Sequence, residues 1–284
     1  GPAMPRRVPF ALLAVLLATV PMQAAPPEAA APAPSSATTP STHPAGILAE
    51  GTRWATPYYV IDSGKTGPTV MVVGGVHGNE PAGAAAADAL CRCSIVRGKL
   101  VLLPRANVPG LEARKRRLPD VDHDAGDLNR NFPQKDDAEP VGQPAGAIWE
   151  LVTRLRPDWL VDLHESVNFR KANPKRVGNT IIHAVADETR RQALAMIAGV
   201  NAGIDDETRR FILLRNPAKG SLARSAADRL GVRAMIVETT RRDQPLALRV
   251  RQHRLMVRRL LADLGMIAGD EDSRRPAVET KAVR

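Results

Sequence analysis

Three side chains in this sequence form a donor set that a metal ion would use. His77 and Glu80 stand three residues apart in GGVHGNEPAG, and His164 lies far downstream in VDLHES. Imidazole nitrogen and carboxylate oxygen are zinc donors, and a catalytic zinc stops at three protein ligands so that a fourth position is open to water. Water held there loses a proton near neutral pH and becomes a usable nucleophile. Asp162 precedes His164 by two residues, so on a strand it shares the same face and can orient the imidazole. HGNE alone would be a weak signal, since a surface histidine near a helix start is the commoner outcome.

Glu238 closes the apolar run RAMIVETT. A carboxylate placed there is costly unless it is paired or works as a general base, and both readings stand on the residues alone. In DLNRNFP, Asn129 and Arg130 place an amide beside a guanidinium. Together they form a donor fork suited to a carboxylate. Glu165 falls on the other face from His164 if the strand continues, so it is expected to shape a pocket rather than to react. His183, inside TIIHA, reads as a satisfied core histidine. His123 among Asp120, Asp122 and Asp124 reads as a solvated acidic loop rather than a second metal site.

These residues need a frame. Strand-length apolar runs occur at 58–62, 69–74, 99–104, 159–163, 179–184, 210–214 and 233–237, alternating with helical stretches at 81–90, 144–154, 188–202, 221–230 and 244–264. Runs such as TVMVVGG and RAMIVE are apolar on both faces, as in strands covered on two sides. The alternation predicts one α/β domain with a mixed, largely parallel central sheet flanked by helices on both faces. In such sheets ligands bind beyond the carboxyl ends of the strands, where the reactive residues fall. Pro104, Asn107, Pro109 and Gly110 predict a turn after the third of these strands. Arg249, Arg251, Arg254, Arg258 and Arg259 decorate the last helix, a pattern expected of a helix packed on one face and wet on the other.

HxxE, N-x-P-G, DLNRNFP, DLHES and a strand ending in Glu, in that order, resemble the zinc carboxypeptidase superfamily. That superfamily includes the carboxypeptidase A type, the murein peptide amidases, and succinylglutamate desuccinylase and aspartoacylase. The similarity runs from about Thr69 to Thr240. It implies one zinc on His77, Glu80 and His164, with Glu238 as the general base, and Asn129 and Arg130 holding a substrate carboxylate. It also implies an arginine that polarises the scissile carbonyl. Arg116 is the first choice, with Arg117 and Arg114 close enough in register to compete, and Arg117 is assigned to substrate binding. The expected activity is hydrolysis of an amide next to a free carboxylate, in peptidoglycan stem peptides. The alternative is an N-acyl amino acid deacylase of the desuccinylase or aspartoacylase kind. Two departures bear on that choice. The carboxypeptidase A type has a tyrosine shortly before its catalytic Glu, whereas the tyrosines here are Tyr58 and Tyr59. The deacylase branch usually adds a C-terminal β domain, whereas here only a helix and a polar tail follow Glu238, which leans towards the compact murein-peptide type.

The rest of the 284 residues bound the setting. Gly1-Pro2-Ala3 reads as a cloning scar, and from Met4 to Ala25 the chain reads as a secretory signal: Arg6 and Arg7, an apolar run Val8–Val20, then small residues. Residues 26–46 are Pro, Ala, Ser and Thr with little apolar bulk, a composition expected of a disordered tether. The catalytic domain is then expected at 47–267, with a flexible tail at 268–284, and the protein is expected in the periplasm or secreted. Cys91 and Cys93 are too close in sequence to bridge without strain, so both are expected as free thiols. The formal net charge is +10, and loss of the signal with Arg6 and Arg7 leaves +8, which suits peripheral contact with anionic envelope surfaces. Few aromatics and no recognition motif argue against nucleic acid.

Overall fold

The computed structural model describes residues 43–135, 138–184 and 186–268. The expected signal at 1–25, most of the tether at 26–46 and nearly all of the tail at 268–284 lie outside them. Among these residues eight strands form one sheet: β1 (Gly46–Leu48), β2 (Thr56–Asp62), β3 (Thr69–Gly74), β4 (Lys99–Leu103), β5 (Trp159–Ser166), β6 (Thr180–His183), β7 (Ile212–Arg215) and β8 (Arg233–Thr240). Their order across the sheet is β1-β2-β4-β3-β5-β8-β6-β7. The centre, β4-β3-β5-β8, is parallel throughout. Antiparallel pairings join β1 to β2, β2 to β4 and β6 to β8, and β7 runs parallel to β6. The mixed, largely parallel sheet expected from the apolar runs is therefore the one observed.

Side-chain alternation divides the core into two layers, because successive strand residues point to opposite faces. On one face Val70, Val72, Leu100, Leu102, Val161, Leu163, Met235 and Val237 join a cluster with Leu90, Met196, Met256 and Leu260. Those last residues come from α1 (Pro81–Leu90), α4 (Asp187–Asn201) and α6 (Leu246–Asp263). On the other face Met71, Val73, Val101, Leu103, Leu160, Ala234 and Ile236 meet Ile148, Leu151, Leu222 and Ala226. These belong to α3 (Gln143–Leu155) and α5 (Leu222–Leu230). Burial on both faces explains the continuous apolar runs.

Two local expectations change. The predicted turn after β4 is a short helix, α2 (Val108–Ala113), because the Asn107 side chain caps it, its Oδ1 accepting from the Gly110 N–H at 3.0 Å. The edge strand β1, three residues long, begins at Gly46 inside the expected tether, where it pairs with Thr56–Tyr58. Such a short strand carries too little periodicity to be read from sequence. Among the described residues no helix is long and apolar enough to cross a membrane.

Candidate metal centre and active site

The parallel strands deliver the site. Gly75, at φ +68°, turns the chain sharply after β3 and lets it run to His77. Gly78 then passes so close to α2 that an added Cβ would lie 2.0 Å from the Gly110 carbonyl carbon. Glu80 sits at the N-cap position of α1, with Pro81 opening the helix. His164 and Glu238 are Cα partners in the β5–β8 register, and neighbouring positions on parallel strands face the same side. Their parity is that of Leu160 and Ile236, so both face the α3/α5 layer.

His77, Glu80 and His164 converge, each 2–3% exposed. His77 Nδ1 lies 3.0 Å from Glu80 Oε1, His164 Nδ1 lies 3.0 Å from Glu80 Oε2, and the two Nδ1 atoms are 3.1 Å apart. Two imidazole nitrogens aimed at each other at that distance share at most one proton between them. Ligands on a tetrahedral zinc at about 2.0–2.1 Å would be separated by about 3.3 Å, so this donor set fits the ion in both chemistry and spacing. No other grouping of metal-binding side chains occurs among the described residues. His123 and its neighbouring aspartates are exposed, as expected of a solvated loop.

The far nitrogens of both imidazoles meet carboxylates. His77 Nε2 is 3.1 Å from Asp127 Oδ1, and His164 Nε2 is 2.8 Å from Asp162 Oδ2. Carboxylates in these places fix the tautomer and leave each Nδ1 free to coordinate. Asp162 is where strand parity placed it. Asp127, which opens the same DLNRNFP run, carries no sequence signal of its own. Burial raises the Glu80 carboxyl pKa, but His77 and His164 outweigh that and hold it well below the usual carboxylate range. Burial lowers the His164 pKa, but Asp162 and Glu80 outweigh that and raise it well above the usual histidine value.

Glu238 faces the same cavity, of about 420 Å³. Burial pushes its carboxyl up to about 7, with His164 pulling the other way and Glu80 adding to the rise. A carboxyl poised near neutrality exchanges a proton readily at physiological pH.

Of the three competing arginines, Arg116 reaches the site, its guanidinium donating to Glu80 Oε1 at 2.7 Å. Arg114 ends α2 in a left-handed conformation and does not line the cavity. Arg117 does not join the site either. It donates to the His123 carbonyl at 2.7 Å and lines a neighbouring depression with Asp124 and Gln134. The reason is local: consecutive residues in a non-helical loop point in different directions, and the carbonyl of Arg116 is itself tied to Gly78 N.

Asn129 is buried, its Oδ1 accepting from Leu222 N at 3.0 Å and its Nδ2 lying 3.3 Å from His164 Nε2. Its Oδ1 is thus engaged with the protein, and Arg130, exposed at the rim with one N–H on the Asn129 carbonyl, is the freer of the two side chains. Lys175 and Arg176, from the β5–β6 loop, and Arg241, just past β8, also line the cavity. Lys175 and Arg176 carry no motif that would mark them in the sequence. His183 is buried, with Nδ1 2.8 Å from the Ala184 carbonyl, a satisfied core histidine.

The succinylglutamate desuccinylase/aspartoacylase catalytic domain matches residues 66–262 of this sequence. The chain belongs to that family. Family membership covers the residues from β3 to nearly the end of α6, and so the whole site. N-alpha-acetyl-L-2,4-diaminobutyric acid deacetylase of Halomonas elongata is 34% identical over 114 residues, 38% of this chain and 31% of that protein. The tripeptide-bound cell shape determinant Csd4 of Helicobacter pylori has the same fold, with a TM-score of 0.60 at 22% identity over 74% of this chain and 56% of that one. A succinylglutamate desuccinylase/aspartoacylase from Rhodobacter sphaeroides gives 0.56 at 21% identity, over 80% of this chain and 62% of that one. The chain therefore spans about a third of the curated relative and 56–62% of these two solved chains.

Proposed function

We propose that the chain is an exported zinc hydrolase that cleaves an amide bond beside a free carboxylate, with peptidoglycan stem peptides as its substrates. The observation that carries this reading is Glu238, paired in register with His164 and facing one cavity with His77, Glu80 and Arg130. Zinc, when bound by His77, Glu80 and His164, supplies a Lewis acid that polarises the scissile carbonyl and makes water nucleophilic at neutral pH.

The protein's own residues do the rest. Glu238, held near neutrality by burial, takes the proton of the attacking water and returns it to the leaving amine. Arg116, on the cavity wall, offers a cation to the oxyanion that develops on the carbonyl. Arg130 at the rim receives the substrate carboxylate through a two-pronged contact. Asn129, fixed by α5, holds the loop that presents it. Arg116, Arg130, Lys175, Arg176 and Arg241 line the cavity against Glu80 and Glu238, an excess of cations that suits an anionic peptide. Csd4, described as a D,L-carboxypeptidase, has been solved with a tripeptide and with mDAP, which supports a peptide substrate for the same fold. Arg6 and Arg7 ahead of the apolar run support export.

One observation favours a second reading, deacylation of an N-acyl amino acid: the Halomonas elongata relative is a deacetylase. Purified protein, assayed with stoichiometric zinc, separates them. Release of a terminal amino acid from murein tri- or tetrapeptides, with N-acyl amino acids left intact, is the expected result. The reverse preference selects the deacylase, and a protein that binds no zinc and cleaves neither overturns both.

A further inference from the structure

We propose that Arg249, on the C-terminal helix α6, is a positioning residue for the metal-ligand set, acting through Glu165 on Glu80. Glu165 follows His164 on β5 and so points to the opposite face of the sheet, where α1 and α6 lie. There its carboxylate is 3% exposed. Oε1 is ion-paired with the Arg249 guanidinium. Oε2 accepts the Ala82 backbone N–H at 2.8 Å. Pro81 has no N–H, so Ala82 offers the first free donor of α1. The backbone N–H of Glu165 in turn donates to Glu80 Oε2 at 3.1 Å.

Glu165 therefore grips Glu80 twice: directly, through its backbone N–H on Glu80 Oε2, and through the start of α1, where Glu80 is the N-cap residue. Arg249 is what holds Glu165 in that place. It is 9% exposed, and its Nε donates to the Gln244 carbonyl at 3.2 Å. One turn further along the same face, His253 Nε2 lies 3.1 Å from Thr239 Oγ1, on the strand that carries Glu238. The inner face of α6 is thus a built polar support behind the two strands that carry His164 and Glu238. A buried ion pair is a poor way to gain stability, since apolar packing of similar volume does as well or better. Its use here is placement.

The proposal rests on reading His77, Glu80 and His164 as a zinc site, and zinc affinity tests it apart from hydrolysis. Full-length Arg249→Met and Glu165→Gln, each compared with the unaltered chain by chelator competition at a temperature where all are folded, should bind zinc about 10–100-fold more weakly. Their kcat should fall with KM within about twofold. Arg249→Lys should recover part of the affinity, and the double variant, which removes both charges, should lose less than the two single losses combined. A merely structural ion pair would lower the melting temperature and leave zinc affinity unchanged. Wild-type affinity in folded Glu165→Gln overturns the proposal even if Arg249→Met fails to fold. Loss of affinity in variants of a protein that hydrolyses neither substrate class would leave the support role standing and remove the proposed activity. An unaltered chain that binds no zinc removes both.

Discussion

Glu238 shows how much of this chemistry depends on surroundings rather than on residue type. In the sequence it is one acid at the end of an apolar strand, open to being a salt-bridge partner or a base. In the fold it lies beside His164 in register, and burial pushes its carboxyl up to about 7. If it moves the proton in the reaction, Glu238→Gln keeps the shape and removes the proton acceptor, so kcat should fall by about 10²–10⁴-fold with zinc content unchanged. Steady-state kinetics alongside metal analysis decides the point. Asp127 makes the opposite case. Nothing marked it beyond its place in DLNRNFP, because its partner, His77, is 50 residues away. Arg116 and Arg117 could not be ranked from sequence either, since neighbours in an irregular loop differ only in the direction they point.

The apolar periodicity located β3 at Thr69–Gly74 and α1 at Pro81–Leu90, because alternation and helix-start signals are written in adjacent residues. It missed α2, a helix of six residues whose Pro and Gly content reads as a turn and whose start depends on the Asn107 cap. The tight join between the His77 loop and α2 has a direct test. An alanine at Gly78 would press its methyl against the Gly110 backbone, which has no flexible side chain to yield. Gly78→Ala should therefore destabilise the fold by about 1–3 kcal/mol, read as a lower urea midpoint with the m-value unchanged. Because the displaced loop carries His77, zinc affinity should fall as well. The last helix, α6, packs on one face as its periodicity implies, with Met256 and Leu260 fully buried. Its Arg249 is indistinguishable in sequence from the other arginines of the helix, since helical periodicity says nothing about a partner on a distant strand.

Stability of the assembled domain carries a pH signature outside the active site. Cys91 and Cys93 are free and buried, as their spacing implied. Burial, helped by Asp88, pushes the Cys91 thiol up from an ordinary value near 9 to about 12. The folded state thus keeps a proton that the unfolded chain releases. That contribution is complete below pH 9 and is lost as pH rises towards 12. Melting temperature should fall across that window, and Cys91→Ala should fall less steeply over the same range. Equal slopes would show that the thiol does not ionise on unfolding. The converging His77, Glu80 and His164, the cavity-lining Glu238 and Arg130, and most of the strands and helices were legible in the linear order of residues. Each is announced by chemistry or periodicity within a few neighbours. Which arginine enters the site, which carboxylate lies against His77, and which helix supports Glu165 were settled by packing. Those contacts join residues 36 to 84 positions apart, and no local pattern encodes the direction of a side chain across such a distance.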